Sequence, residues 1–476
     1  MEASDNPFGH RLSRRWVLGT AALGGFGLAA CGSNDQSSSS RPAPASDDSE
    51  DPKDIAADAY TFGYPLVLMD ATRIAAGAPN QFANAVALPD PDERLVVRLN
   101  LDTLYSQAWL ALAAEPLVLQ VPAVEPDRYW LMQLLDAWSN TRHNPSSVHA
   151  QVRPGVTTPP YTYLVTGPQW QGEVPEGMTQ LAMPTETAWI LGRIEVKDSH
   201  DVAKVLGLQN ELKLVPLSAW LRGETASTGR PYAPTPGAIP PPKQVAALDG
   251  PDFFDRMCAL MAANPPAAED APALRRFATL GIAPGATVDL AITDVLDAGV
   301  AQAKTRIPEY DDPGTKDENG WVVATDLGAY GTNYALRART AMQGLGANLA
   351  EDAIYPTIYA KADSNGKPLR YRMRFPAGRL PPVDAFWSLT AYDTDNYLVP
   401  NTAGIYAIGH EIPVVPGADG SVDLAVQCAD PGSAVPRGNW LPIPASGQFS
   451  LSLRLYEPRP EAIDGTWQIP ALTQVT

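Results

Sequence analysis

Leu369-Arg370-Tyr371-Arg372-Met373-Arg374-Phe375 alternates large apolar side chains with arginines. Successive side chains of a strand point to opposite faces, so this stretch predicts a strand with one apolar and one charged face. The same period returns in Val422, Leu424, Val426 and Cys428, and again in Phe449, Leu451, Leu453 and Leu455. Asn365-Gly366, Asp419-Gly420 and Asp464-Gly465 mark turns around these runs. Strands punctuated in this way predict an antiparallel sandwich with one wet face over residues 351–476.

A second β-rich region lies upstream, with short runs at Leu95–Leu101, Leu117–Val121, Tyr129–Leu135, Tyr161–Val165 and Ala188–Val196 bounded by Pro and Gly. Between the two, residues 198–350 change to helical spacing, with segments expected near 200–212, 251–263, 271–280, 287–306 and 331–345. Val288, Ile292, Val295, Leu296 and Ala303 share one face of the fourth, and Pro308 stops it. A further helix is expected at 54–77, interrupted at Pro65. The expected fold is therefore α+β and mainly β. It comprises two antiparallel, jelly-roll-like β-sandwich domains, at 53–197 with the leading helix and at 351–476, and a helical insert at 198–350.

The N-terminus reads as an address. Ser13-Arg14-Arg15-Trp16-Val17-Leu18 precedes a short apolar Gly/Ala-rich stretch that ends Leu28-Ala29-Ala30-Cys31. Twin arginines before a hydrophobic segment resemble the twin-arginine export signal, with the general secretory route as the alternative. Leu-Ala-Ala-Cys fits a lipobox that would leave Cys31 as a lipidated N-terminus, and the apolar stretch is too short to span a bilayer core of ~30 Å. Residues 32–52 are rich in Ser, Pro and Asp and read as a disordered tether. The expected location is thus periplasmic or cell-surface, with the membrane engaged only through the lipid.

A formal charge of −18 argues against nucleic acid as a partner and favours neutral or cationic small ligands. Of three cysteines, Cys31 is taken by lipid, and Cys258 and Cys428 leave open either one disulfide or two free thiols. The chain has no nucleophile elbow, phosphate-binding loop, dinucleotide fingerprint or His-Glu-x-x-His, so no cofactor is implied. His143 and His149 match no common zinc spacing, so no metal site built on histidine is expected, and an oxygen-rich calcium site is left open.

Two polar clusters inside apolar surroundings are the candidates for chemistry. In Arg98-Leu99-Asn100-Leu101-Asp102-Thr103-Leu104-Tyr105, continuation of the strand from Leu95 would project Arg98, Asn100 and Asp102 from one face, either as a paired polar ladder or as ligand and proton-transfer groups. The second cluster, Gln133 to Asn144, places Asp136 at the end of a very apolar strand, where burial would raise its pKa unless Arg142 or Arg128 neutralises it. Trp138 and Asn140 could there present a stacking platform, or the Trp could be core. Phe386 to Asp393 divides into a face of Trp387, Leu389 and Ala391 and a face of Phe386, Ser388, Thr390 and Tyr392.

Asn100-Leu101-Asp102-Thr103-Leu104-Tyr105, Leu134-Leu135-Asp136-Ala137-Trp138 and Trp189-Ile190-Leu191-Gly192-Arg193 resemble the domain-of-unknown-function family numbered 1254. Gly344-Leu345-Gly346-Ala347-Asn348, Tyr355-Pro356, Ala385 to Thr390, Asn439-Trp440-Leu441-Pro442 and Arg454-Leu455-Tyr456 resemble the family numbered 1214. The resemblance implies two β-rich domains with a helical insert, common in exported bacterial proteins, and no established reaction. The expected function is binding of a small organic or amphiphilic ligand in a cleft between the domains, with carboxylate-based hydrolase or lyase chemistry as an open extension. Asp102, Asp136 and Tyr105 would be the acid/base groups, and Arg98, Asn100, Trp138, Asn140, Trp387 and Tyr392 the ligand contacts. The alternative is a non-enzymatic, surface-active, adhesion or scaffolding protein that binds hydrophobic material. Either could be a homo-oligomer.

Overall fold

The computed structural model describes residues 51–92, 98–226, 229–233, 237–433 and 435–475. The export signal, Cys31, the tether up to residue 50 and the strand start at 95–97 lie outside the described residues. The chain is a mixed α+β protein whose sheets are mostly antiparallel.

Helix α1 (Pro52–Ala76) opens on Asp51, whose carboxylate accepts from the Lys53 amide at 2.9 Å. Pro52 occupies the first turn, where a missing N–H costs nothing. Gly77, at φ 89°, caps the helix, and Pro65 lies inside it without ending it. Its sequence is apolar on every side, so the helix is buried nearly all round. Around it pack α2 (Gly250–Ala263), α3 (Thr293–Glu309) and α4 (Tyr334–Gly344). Tyr60, Phe62, Phe253, Met257, Leu296, Val300 and Ala338 share their core. A Cβ on Gly299 of α3 would fall 2.4 Å from that of Ala56, so the bare glycine lets the two helices touch. The helix read as leader of the N-terminal β region therefore belongs to the helical core.

In the N-terminal half, β1 (Thr103–Ala111), β3 (Trp130–Asp136) and β5 (Thr187–Glu195) lie in one sheet, with β5 in the middle and antiparallel to both. Strands β2 (Leu117–Val121) and β4 (Tyr161–Thr166) belong to a second sheet. Leu104, Ala108, Leu110, Met132, Leu134, Ile190 and Ile194 of the first share one core with Leu117, Leu119, Tyr163 and Val165 of the second. The period of two then turns Tyr105, Gln107, Trp109, Gln133, Trp189, Leu191 and Arg193 to the opposite face. That second face builds the site.

The C-terminal half contains β6 (Thr357–Lys361), β7 (Arg370–Phe375), β8 (Trp387–Tyr392), β9 (Val422–Gln427) and β10 (Gln448–Tyr456). Strand β10 runs between β6 and β8, and β7 pairs with β9 in another sheet. Tyr371, Met373, Phe375, Leu389, Val422, Leu424, Val426, Leu451 and Leu453 meet in one core, while Arg370, Arg372 and Arg374 stay exposed as the alternation predicts. Asn365 and Gly366, at φ 52° and 76°, make the expected turn, whereas Gly465 caps the short helix Pro460–Asp464.

One expectation fails in an informative way. The polar face of β8 and β10 is dry: Ser388, Thr390, Tyr392, Ser450, Ser452 and Arg454 are at most 5% exposed. It packs against the N-terminal half at residues 98–102 through bonds from Ser388, Tyr392 and Arg454. Cys258 and Cys428 are free thiols. Among the described residues no helix is long and apolar enough to cross a membrane.

Candidate functional site

The segment 98–102 is a loop, so Arg98, Asn100 and Asp102 form no strand ladder. Arg98 adopts φ 55°, and the Asn100 carbonyl oxygen Oδ1 accepts from the Asp102 amide at 2.7 Å. This local side-chain-to-backbone bond defeats the alternation. It also frees the Asn100 amide, which donates to Thr103 Oγ1 (3.1 Å), the Tyr105 hydroxyl (3.2 Å) and the Tyr456 hydroxyl (3.1 Å). Asp102 Oδ2 accepts from Ser388 Oγ at 2.7 Å and from the Tyr456 hydroxyl at 3.3 Å. Tyr392 donates to the Leu99 carbonyl at 2.7 Å and accepts from Arg454, which also donates to Thr390 and to the carbonyls of Arg98 and Leu99. Asn100, Asp102, Tyr105, Tyr392 and the Arg98 backbone thus come together at the seam between the halves.

Beside them, Tyr105 of β1 is the register partner of Arg193 of β5. The Arg193 guanidinium carbon lies 5.3 Å from the Tyr105 ring centre, and its Nη1 donates to Gln133 Oε1 at 2.8 Å. Arg193 is 4% exposed, its Nε has no partner, and no carboxylate stands within ion-pair distance of it among the described residues. Burial opposes its charge, yet the phenols of Tyr105, Tyr355 and Tyr129 outweigh that and keep it protonated. For Tyr105, burial pushes the phenol up, but Arg193, the Asn100 hydrogen bond and Arg454 together hold it below the ordinary tyrosine value. Tyr355 donates to Asn348 Oδ1 at 3.0 Å, leaving Asn348 Nδ2 unpartnered.

Asn100, Tyr105, Tyr355 and Phe386 all keep some accessible surface. We take these partly accessible side chains as the lining of a hollow at the seam, made of phenols and an amide with the buried Arg193 guanidinium behind them.

The second cluster lies elsewhere. Thr103 pairs with Glu195 and Asp136 with Ala188, at opposite ends of β5, so Asp102 and Asp136 are separated by roughly 23 Å at ~3.3 Å per residue. They share no recess, and Asp136 and Asn140 do not reach the hollow. Asp136 is fully buried and accepts from the amides of Trp138 and Asn140 (2.9 Å each) and from Arg142 Nε (2.6 Å). Asn140 donates back to the same carboxylate and accepts from the Tyr330 amide. Trp138 is core: it packs on Phe62 and donates to the Asn264 carbonyl. Trp387 lies on the apolar face of β8, against Phe375.

Residues 79–216 match the family Protein of unknown function (DUF1254), and residues 352–460 match Protein of unknown function (DUF1214). The chain carries a DUF1254 domain followed by a DUF1214 domain. It is similar to the crystal structure of the VPA0106 protein from Vibrio parahaemolyticus, with 22% identity and a TM-score of 0.65 over 89% of this chain and 100% of that one, a likeness of fold. An uncharacterised protein from Burkholderia cenocepacia aligns over 88% of this chain and 89% of its own, with 13% identity and a TM-score of 0.42. No curated protein matches the chain. The hollow straddles both domains: Asn100, Asp102, Tyr105 and Arg193 come from the DUF1254 span, and Tyr355, Ser388, Arg454 and Tyr456 from the DUF1214 span. Neither domain holds the site alone. Arg193, Tyr355, Arg454 and Tyr456 were missed as site residues although each stands in a string that carries the family resemblance. Arg193 had its own signal, a positive charge that with Glu195 interrupts the otherwise apolar run Ala188–Val196.

Next to this hollow are two more buried acids. Burial, which outweighs the Asn144 hydrogen bond and Arg193, raises Asp352 to about 7; Glu351 adds to the rise. Burial likewise outweighs Ser146 and raises Glu457 to about 8, with Asp352, Glu351 and Asp384 adding repulsion. Since folding favours the protonated form of both, the stability they confer is full below ~4, where the unfolded carboxyls titrate, and is lost as pH rises through about 7 and about 8. Urea midpoints should fall from pH 5 to pH 8.5, and Asp352→Asn with Glu457→Gln should flatten that slope. An unchanged slope in the double variant would reject the assignment.

Proposed function

We propose that the hollow between the DUF1254 and DUF1214 domains binds a small organic ligand through an oxyanion, with Tyr105 as the group that accepts or donates a proton. Arg193 carries this reading. A buried cation is costly without a counter-charge; this one hydrogen-bonds Tyr105, has an unpartnered Nε, and has no carboxylate within ion-pair distance among the described residues. A ligand oxyanion would supply the missing charge and bond. Tyr105, held below the usual tyrosine range, is suited to proton transfer in hydrolase or lyase chemistry. Asn100 and Tyr456 would orient the ligand, and Asp102, bonded to Ser388 and Tyr456, fixes the seam. The local cation thus outweighs, at this one site, the preference that the overall negative charge sets for neutral or cationic ligands.

The paired sheets of each half, sharing one core per pair, support the finer description of two sandwiches. We place the protein outside the cytoplasm on the strength of Arg14-Arg15 and the lipobox at Cys31.

The test is a thermal-shift screen of residues 50–476 with aliphatic and aromatic carboxylates and their matched alcohols. Carboxylates should raise the melting temperature and alcohols should not. Arg193→Gln should abolish the shift and Arg193→Lys should retain part of it. A shift of equal size in Arg193→Gln overturns the proposal.

A further inference from the structure

A separate cavity lies wholly within the C-terminal half. It is half-open to solvent, about 730 Å³ in volume, and bounded by residues 378–383, 414–422 and 459–467, so it shares no lining residue with the seam. Sites for small organic ligands fall in the range ~300–1,000 Å³.

The walls of the cavity are held in place by the chain itself. The Trp467 indole N–H donates to the Arg379 carbonyl at 3.1 Å, and the Arg459 amide donates to the Pro382 carbonyl at 3.0 Å. Pro381, Pro382 and Pro416 fix their own backbone angles. Trp467 and Val422 are at most 5% exposed and belong to the C-terminal core, so the floor is solid and apolar. At the mouth Leu380 is 39% exposed, and Val415, beside the lining residues Val414 and Pro416, is 47% exposed. Exposed apolar side chains gathered at an apolar recess mark a binding surface.

The polar groups narrow the ligand. Prolines offer no N–H, and the Trp467 indole N–H is taken by the Arg379 carbonyl. The Thr466 hydroxyl bonds the Asp464 carboxylate, and Arg459 is held by Asp384 at 2.7 Å with Glu461 nearby. No ion pair engages the Arg379 guanidinium among the described residues. A sugar needs many hydrogen bonds and finds few free donors here. An apolar body with one negative end matches the lining. Glu461 opposes a second negative charge, which favours a carboxylate over a phosphate dianion.

We propose that this cavity binds a single-chain amphiphile bearing one carboxylate, its chain on Trp467, Val422 and Leu380 and its head at Arg379. The site stands without the one at Arg193. Arg379 is exposed, so its pairing adds only about two- to fivefold in affinity, and burial of the chain supplies the rest. Short carboxylates, which report on Arg193, gain too little apolar contact to fill it.

The probes are straight-chain alkanoates of increasing length and their methyl esters, titrated into the protein by calorimetry below micelle formation. Affinity should rise about fourfold per methylene until the cavity is filled. Arg379→Gln should weaken the longest alkanoate about two- to fivefold and erase its advantage over the ester, while Arg379→Lys should keep most of that advantage. Leu380→Ser should weaken acid and ester alike, about two- to tenfold. Both side chains are exposed, so these variants fold. Affinity that does not grow with chain length, or that is unchanged in both Arg379→Gln and Leu380→Ser, overturns the proposal. If Arg193→Gln alone removes long-chain binding, the chains bind at the seam and this site is wrong. Short carboxylates that bind nowhere would overturn the Arg193 reading and leave this one standing.

Discussion

Arg454→Met lowers the unfolding free energy by about 3–5 kcal/mol, the cost of removing one partner from a buried charged network. Arg454 is 5% exposed and bonds Thr390, Tyr392 and the carbonyls of Arg98 and Leu99. Burial opposes its charge, and Tyr392, Tyr456 and Asp102 hold it protonated against that. Methionine fills much of the volume but supplies no donor, so two loop carbonyls and two hydroxyls lose a bond in a place water does not reach. Urea unfolding followed by near-ultraviolet circular dichroism measures the loss. The double variant Arg454→Met with Asp102→Asn should lose less than the two single losses combined, because the groups act on each other. A loss below about 1 kcal/mol would mean that the seam is held by apolar contacts alone.

The sequence reveals the fold best where one side of a strand is wet. Arg370, Arg372 and Arg374 are exposed and Tyr371, Met373 and Phe375 buried, so composition and geometry agree residue by residue. It misleads where both faces are dry. Ser388, Thr390 and Arg454 have the pattern of a solvent face, yet an entire second half of the protein covers them, and only the long-range pairing of loop 98–102 with β8 and β10 distinguishes the two cases. Strand spacing also fails at Arg98 to Asp102, because an amide that bonds its own backbone competes with the ladder, and alternation carries no record of that competition. Helix α1 was legible as a helix. Its place was not, although a segment apolar on all sides already says that it is surrounded.

For the site, the aspartates drew attention because a carboxylate in apolar sequence is conspicuous. The structure shifts the weight to arginine and tyrosine. Asn100, Tyr105 and Tyr392 do reach the seam, and Arg193, Tyr355 and Tyr456 reach it from strings more than a hundred residues away in places, for example 356 residues between Asn100 and Tyr456. Convergence of that kind is a property of topology, which a single sequence does not display. What the sequence does display is the strain of the parts: a charged residue in a buried strand needs a partner, and Arg193 advertises that need before any partner is known.

Asp136 makes the contrast testable, because the sequence offers it as an acid/base group beside Asp102 and the fold ties it into a buried hydrogen-bond network. Asp136→Ala should cost about 3–5 kcal/mol, chiefly by stranding the Trp138 and Asn140 amides in a dry interior, each worth ~1–3 kcal/mol when left unpaired. The Arg142 bond adds less, since that side chain is 38% exposed and keeps water as an alternative. Asp136→Asn should cost less than the alanine variant, as the amide oxygen can still accept from one of the two backbone donors. In both variants, at temperatures where they remain folded, carboxylate binding at Arg193 should match the parent chain within error, because Asp136 lies at the opposite end of β5 from Asp102. Loss of binding in Asp136→Asn with an unchanged urea midpoint would reverse the assignment and return this carboxylate to the ligand.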